Sequence, residues 1–219
     1  MTTRRQVNVG ILSSVAVVAA TKAGLAEVPQ AIDLPPPAFE GGKTMRQALK
    51  DRQSIRDYAD RALPHDVLSN LLWAAWGVNR PHDDGRTAPR WRGVYALDIY
   101  LTMADGVWRY EPKSHKLVFH MAGDLRGQTT TGQSFVATAP LNLVYAFDMS
   151  KLSGTENEKT AAAAASVAMV GQNVYLCCAA EGLATVFRQS VPGEKLARTL
   201  QLPAAQIIQF AQTVGYPKT

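Results

Sequence analysis

The chain has almost nothing with which to cross-link itself. Of its 219 residues only two are cysteines, Cys177 and Cys178, and they are adjacent. Neighbouring cysteines in an apolar run rarely bridge, and no second pair exists, so a disulfide framework is excluded. Charge is also sparse, at 19 % of residues against 47 % apolar. That balance argues against a disordered or collagen-like chain and for one long enough to bury a core. The histidines, His65, His82, His115 and His120, show no HExxH or HxxxH spacing, which argues against a metal site. There is no GxSxG, Walker A or GxGxxG motif, so the commonest signatures of hydrolases, P-loop NTPases and Rossmann enzymes are missing. The N-terminal apolar run, Val9–Ala20, falls well short of the ~20 residues a membrane span needs.

What charge there is leans basic, with a formal net of +5. Three of the 23 basic residues, Arg4, Arg5 and Lys22, and none of the 18 acidic ones fall in residues 1–26, leaving +2. That is too weak to argue for nucleic acid or an anionic membrane surface. Residues 1–26 themselves read as an export signal: a positive Arg4-Arg5, the apolar stretch to Ala20, and small residues Gly24 and Ala26 before Glu27. Thr3-Arg4-Arg5 resembles a twin-arginine signal, with Val7 and Asn8 where Phe-Leu is usual. The expected location is the bacterial periplasm, or the cytoplasm if the signal is not functional; an uncleaved anchor or a frayed terminus is the alternative.

Residues 27–43, with Pro29, Pro35, Pro36, Pro37, Gly41 and Gly42, predict an extended lead-in and not a packed element. A domain over 44–219 follows. Thr44 is placed to cap a helix from Met45 to about Arg52. Val67, Leu68, Leu71, Leu72 and Ala75 recur at helical spacing between Pro64 and Gly77. Residues 79–93 read as a polar loop. The period then becomes two over Tyr95–Met103, and Asp105-Gly106 marks a hairpin to Val107–Tyr110. Lys116–Met121 and Leu141–Phe147 predict further strands, 150–158 a loop, and Thr160–Glu181 a long helix that is apolar nearly all round and is ended by Gly182. Gly193–Leu200 predicts a short helix and Ile207–Val214 a last strand. The order is that of an α+β chain.

The informative segment is Arg52-Gln53-Ser54-Ile55-Arg56-Asp57-Tyr58. It sets two permanently charged guanidiniums four residues apart with a hydroxyl between them, donors suited to a phosphate or a carbonyl-rich ring edge. A solvated basic helix end is the bland alternative.

Arg-x-Ser-x-Arg-x-Tyr resembles the flavin-binding signature of the nitroreductase family. Leu71–Arg80, Gly85–Pro89, Gln172–Leu176 with Glu181–Ala184, and Val214–Lys218 are similar to further family segments in the same order. The nearest branch resembles the compact oxidases that act with thiazole/oxazole-forming cyclodehydratases. The resemblance implies an α+β sandwich, a central mixed or antiparallel sheet flanked by helices, and a homodimer with FMN at its interface, touched by both chains. By position, Arg52 and Ser54 would hold the phosphate and ribityl chain and Arg56 the pyrimidine edge. Lys218 would add a phosphate contact, Ala88 and Pro89 would border the cofactor, and the backbone of Val186, Phe187, Arg188 and Gln189 would face flavin N5. The implied activity is hydride transfer from a donor such as NAD(P)H to a nitroaromatic, quinone or enone acceptor. An exported oxidase with another donor and a non-catalytic flavin-binding homologue are the alternatives.

One segment departs from the family pattern. After Ala88-Pro89, where small residues and an Asn are usual, stand Arg90-Trp91-Arg92-Gly93. These are candidates to roof the substrate pocket and to select an acidic or aromatic substrate, or else a plain surface loop. Trp73 and Trp76 read as core, the cysteines as packing residues, and Tyr58 as a wedge beside the site. No residue stands out as a general acid, and the flavin itself would carry the chemistry.

Overall fold

The computed structural model describes residues 29–218, so the expected export signal lies outside the described residues. In chain order the elements are β1 (Ala31–Asp33), α1 (Met45–Asp51), α2 (His65–Trp76), β2 (Val78–Arg80), β3 (Gly85–Arg86), β4 (Leu97–Met103), β5 (Gly106–Glu111), β6 (Lys116–Met121), α3 (Phe135–Thr138), β7 (Leu141–Asp148), α4 (Glu156–Glu181), β8 (Ala184–Arg188), α5 (Gly193–Thr199) and β9 (Gln206–Gly215), with 3-10 turns at Trp91–Gly93, Arg126–Thr129 and Met149–Lys151.

Seven strands form one sheet in the order β1-β6-β5-β4-β7-β9-β8. Every pairing is antiparallel. The alternation along β4 and β7 assigns the two faces. Ile99, Leu101, Leu143 and Tyr145 pack with α2 and α4, while Tyr100, Val144 and Ala146 lie under Leu196 and Leu200 at α5. Both faces are covered, so β7 is apolar almost throughout, as the unbroken run predicted. Each buried leucine adds about 1.5–3 kcal/mol.

α4 crosses the first face. It begins at a capping box in which Thr155 and Glu158 satisfy each other's backbone N–H groups, and it ends where Gly182 takes φ 72°. Its inner side is Ala162, Ala163, Ser166, Val167, Val170, Gly171, Val174 and Cys178. A Cβ at Gly171 would fall 2.6 Å from the Phe187 ring, so only glycine lets the helix lie this close to β8. Its outer side exposes Ala161, Ala165, Ala168 and Gln172.

Three expectations need correction. The lead-in is not wholly unpacked: Ala31–Asp33 pairs with β6 at the sheet edge, and the backbone N–H of Leu34 donates to His115 O at 3.2 Å. The 79–93 loop contains the β2–β3 hairpin, closed by a turn at Pro81–Asp84. α4 starts at Glu156 instead of Thr160, because the Thr155 cap wins the first turn for the helix.

Candidate functional site

Segment 52–58 is held on both sides by backbone. α1 stops at Arg52, whose N–H still donates to Ala48 O, and the chain then extends. The N–H of Ile55 donates to Thr185 O at 3.0 Å, tying the segment to β8. That strand ends the sheet, so its outer backbone groups have no neighbouring strand to bond. On the other side Ala59 N–H donates to Tyr216 O (2.9 Å) and Lys218 N–H to Asp57 O (3.2 Å), with a bridge between Tyr58 and Pro217. The structure thus brings Arg52, Ser54, Arg56, the 186–189 stretch and Lys218 to one place.

Tyr175 completes this group, and sequence reasoning did not single it out. Its hydroxyl accepts the Phe187 N–H at 2.9 Å and lies 2.7 Å from Ser54 Oγ, while the Arg52 guanidinium stands 5.2 Å above its ring. From the sequence Tyr175 is one residue of an apolar helix; only the crossing of α4 over β8 gives it a partner.

The side chains of 186–189 mostly point inward. Val186 is buried, and Phe187 stacks on Phe210 with centroids 4.9 Å apart; only Gln189 is exposed. Arg188 is buried outright. Its guanidinium donates to Thr213 Oγ1 (3.0 Å), Thr129 O (2.8 Å), Thr129 Oγ1 (3.2 Å) and Asn142 Oδ1 (3.3 Å), all neutral acceptors. Burial lowers its pKa to about 10. The Tyr58 phenol donates to Ile55 O at 2.7 Å, and burial pushes it well above its ordinary value. It is a packed side chain.

A cleft of about 510 Å³ runs beside this group, lined among others by Lys43, Lys50, Arg52, Ile55, Gly182 and Pro217. Lys43 is paired with Asp51 at 2.6 Å. Arg52, Arg56 and Lys218 have no carboxylate within 4.0 Å among the described residues. A second cavity, about 340 Å³, lies between α2 and α4 and is bordered by Trp73, Thr87, Asn173 and Leu176. Trp73 is therefore a wall residue, whereas Trp76 is core at 4 % exposure.

The other candidates lie elsewhere. Ala88 is buried, Pro89 exposed, and Arg90–Arg92 lead into a 3-10 turn in which Arg92 has φ 49°. The Glu158 carboxyl is held below its usual range first by bonds from the Thr155 backbone and side chain, and further by Arg92. Among the described residues no hydrogen bond or ion pair joins Arg90–Gly93 to the 52–58 segment, although Thr87 at the base of the loop shares the cavity between α2 and α4 with Ala48 of α1.

Among the described residues no group of three or more His, Cys, Asp or Glu is placed to hold a metal.

The profile of the nitroreductase family matches residues 49–216. A putative nitroreductase of Methanocaldococcus jannaschii is 29% identical over 152 residues, 65% of this chain and 76% of that protein. The crystal structure of a putative nitroreductase from Ralstonia eutropha JMP134 superposes with a TM-score of 0.83 at 34% identity, covering 87% of this chain and 91% of the other. A putative NADH dehydrogenase/NAD(P)H nitroreductase from Parabacteroides distasonis shares the fold, with a TM-score of 0.57 at 18% identity over 80% and 88% of the two chains.

Proposed function

The chain belongs to the nitroreductase family, and on that premise we propose that it is an FMN-dependent oxidoreductase. It passes hydride from a donor such as NAD(P)H to an organic acceptor of nitroaromatic, quinone or enone type, the two partners alternating in one site. The observation that carries this reading is that the backbone bonds at Ile55 and Lys218 bring Arg52, Ser54, Arg56 and Lys218 together beside the outer edge of β8.

The residues fit the cofactor. Arg52, Arg56 and Lys218, none with a carboxylate partner among the described residues, stand on the same backbone-tied segments as the Ser54 hydroxyl, and together they make the donor set that a dianionic phosphate and a carbonyl-rich ring edge need. When bound, FMN supplies the two-electron chemistry. Arg52, Ser54 and Lys218 bind the phosphate end. Arg56 sets a fixed positive charge at the ring edge that gains negative charge on reduction. Tyr58 keeps its proton, because burial and its bond to Ile55 O hold it there, so solvent supplies protons.

The working unit is a homodimer. Ala161, Ala165 and Ala168 form an exposed line of small side chains on α4 that permits close approach of a second helix. A two-fold pairing of α4 helices would set one chain's 88–92 loop beside the partner's 52–58 segment, so that each site draws on both chains.

An absorption spectrum tests the cofactor. The purified protein is expected to show flavin bands, and Arg52→Ala with Ser54→Ala to be colourless yet folded. Full FMN occupancy in the double variant would sink the assignment.

A further inference from the structure

Three arginines crowd the 86–92 segment, and none is in an ion pair among the described residues. Arg86 is 6 % exposed, and its Nε and Nη1 are buried with no hydrogen-bond partner. A buried guanidinium without an acceptor is costly, so a fold rarely keeps one unless something else supplies the counter-charge. The Thr87 hydroxyl beside it is orphaned as well. Arg86 and Arg90 both stack on Tyr95, at 4.9 and 4.2 Å from its centroid. Tyr95 is itself fixed by its hydroxyl, which donates to Asp84 O at 2.6 Å. Arg90 also donates to Gly93 O at 3.3 Å. The base of the loop is therefore fastened around Tyr95.

Its tip is not engaged. Trp91 is 39 % exposed, and Arg92 is exposed with φ 49°. The three nearby carboxylates are occupied: Asp83 accepts the Gly85 N–H at 2.9 Å and lies 3.8 Å from Arg80 Nε, Asp84 is paired with Lys113, and Glu158 closes the α4 cap on Thr155. What remains is an aromatic plate flanked by guanidiniums, the chemistry that binds a flat anion through stacking and charge-assisted hydrogen bonds.

We propose that the Arg86–Arg92 segment is an acceptor-binding element that makes the flavin site selective for aromatic carboxylates or sulfonates. Trp91 stacks on the ring of the acceptor, Arg92 and Arg90 hold its anionic group, and Arg86 supplies the underlying positive charge. This rests on the dimeric flavin reading, in which the loop faces the partner's cofactor.

The test is calorimetric titration of the oxidised, FMN-saturated protein with 4-nitrobenzoate and with uncharged 4-nitrobenzyl alcohol, a readout that requires no turnover. The anion is expected to bind about tenfold more tightly in low salt, with the advantage shrinking as ionic strength rises. Arg90→Gln with Arg92→Gln should abolish the preference, Trp91→Ala should weaken both probes alike, and the surface control Arg198→Gln should change neither. Tryptophan fluorescence follows the same titration, because Trp91 should be quenched by the nitro group. Equal affinity for the two probes, no binding of either, or a preference that survives the double substitution overturns the proposal. The flavin spectrum separates the two levels. A flavin-loaded dimer without the preference defeats only this inference, whereas a chain that takes up no FMN defeats the reading beneath it.

Discussion

The two halves of the proposed site are built by different means. Residues 52–58 lie between β8 and the tail after β9, fastened by backbone bonds at Ile55, Ala59 and Lys218. Residues 86–93 are tied by backbone only where they begin, with Arg86 paired to Val78 and Thr87 N–H donating to Gly77 O at 3.0 Å; beyond that the fastening to the rest of the chain is by side chains, with two guanidiniums and two carbonyls organised around Tyr95. Backbone fastening is indifferent to most substitutions, so the half that would bind an invariant cofactor tolerates change around it. Side-chain fastening alters with single substitutions, which suits the half that would meet a variable substrate.

The sharpest way to break this contrast is at Arg188, beneath the first half. Arg188→Leu removes four hydrogen bonds and leaves Thr129 and Asn142 acceptors buried without that donor. Urea denaturation is expected to show a loss of about 3 kcal/mol. An unchanged midpoint would mean that the cost of burying the charge already cancels its bonds.

A smaller effect is expected in the second half. Tyr95→Leu should cost about 1 kcal/mol globally. Hydrogen exchange should quicken across 84–94 while the amides of Ile55 and Phe187 stay protected. Equal loosening of both halves would erase the distinction drawn between them.

The smallest effect concerns the strap that leads into the first half. Ser69 Oγ donates to Pro35 O at 2.6 Å and lies 2.7 Å from His115 Nε2, whose Nδ1 is 2.9 Å from the Tyr110 hydroxyl. Burial pulls the His115 pKa below its ordinary 6.5, against a smaller opposing bond at Pro35. The unfolded chain therefore takes up the proton first. This contribution to stability is whole above pH 6.5 and is lost as pH falls below it. His115→Gln should flatten that part of the stability profile measured between about pH 8 and 5.5; a slope that persists would assign it to another group.

Much of this architecture was legible because strict periods leave few choices. The two-residue alternation of β4 and the helical spacing of α2 each match a buried face. The start of α4 was legible too, since Thr155-x-x-Glu158 is a capping signature, and reading 150–158 as a loop overlooked it. β1 was hidden because three residues between prolines have no pattern of their own and become a strand only against β6. β8 was seen as a contact stretch and not as the edge strand, because Ala184–Arg188 is inward-facing almost throughout. Of the candidate site, the Arg52–Tyr58 segment stood out by its charge spacing, and the roles proposed for Arg52, Ser54, Arg56 and Lys218 came through a resemblance to a known motif. Tyr175 and the burial of Arg188 depend on contacts across more than ten residues of chain, which no local spacing encodes.

The central claim is that the cofactor site needs both chains. Its most direct test is to dilute the flavin-loaded protein and follow dimer fraction by sedimentation and bound FMN by fluorescence in the same samples. The account predicts one shared midpoint, with flavin released as the chains separate. Monomers that keep their FMN would contradict it.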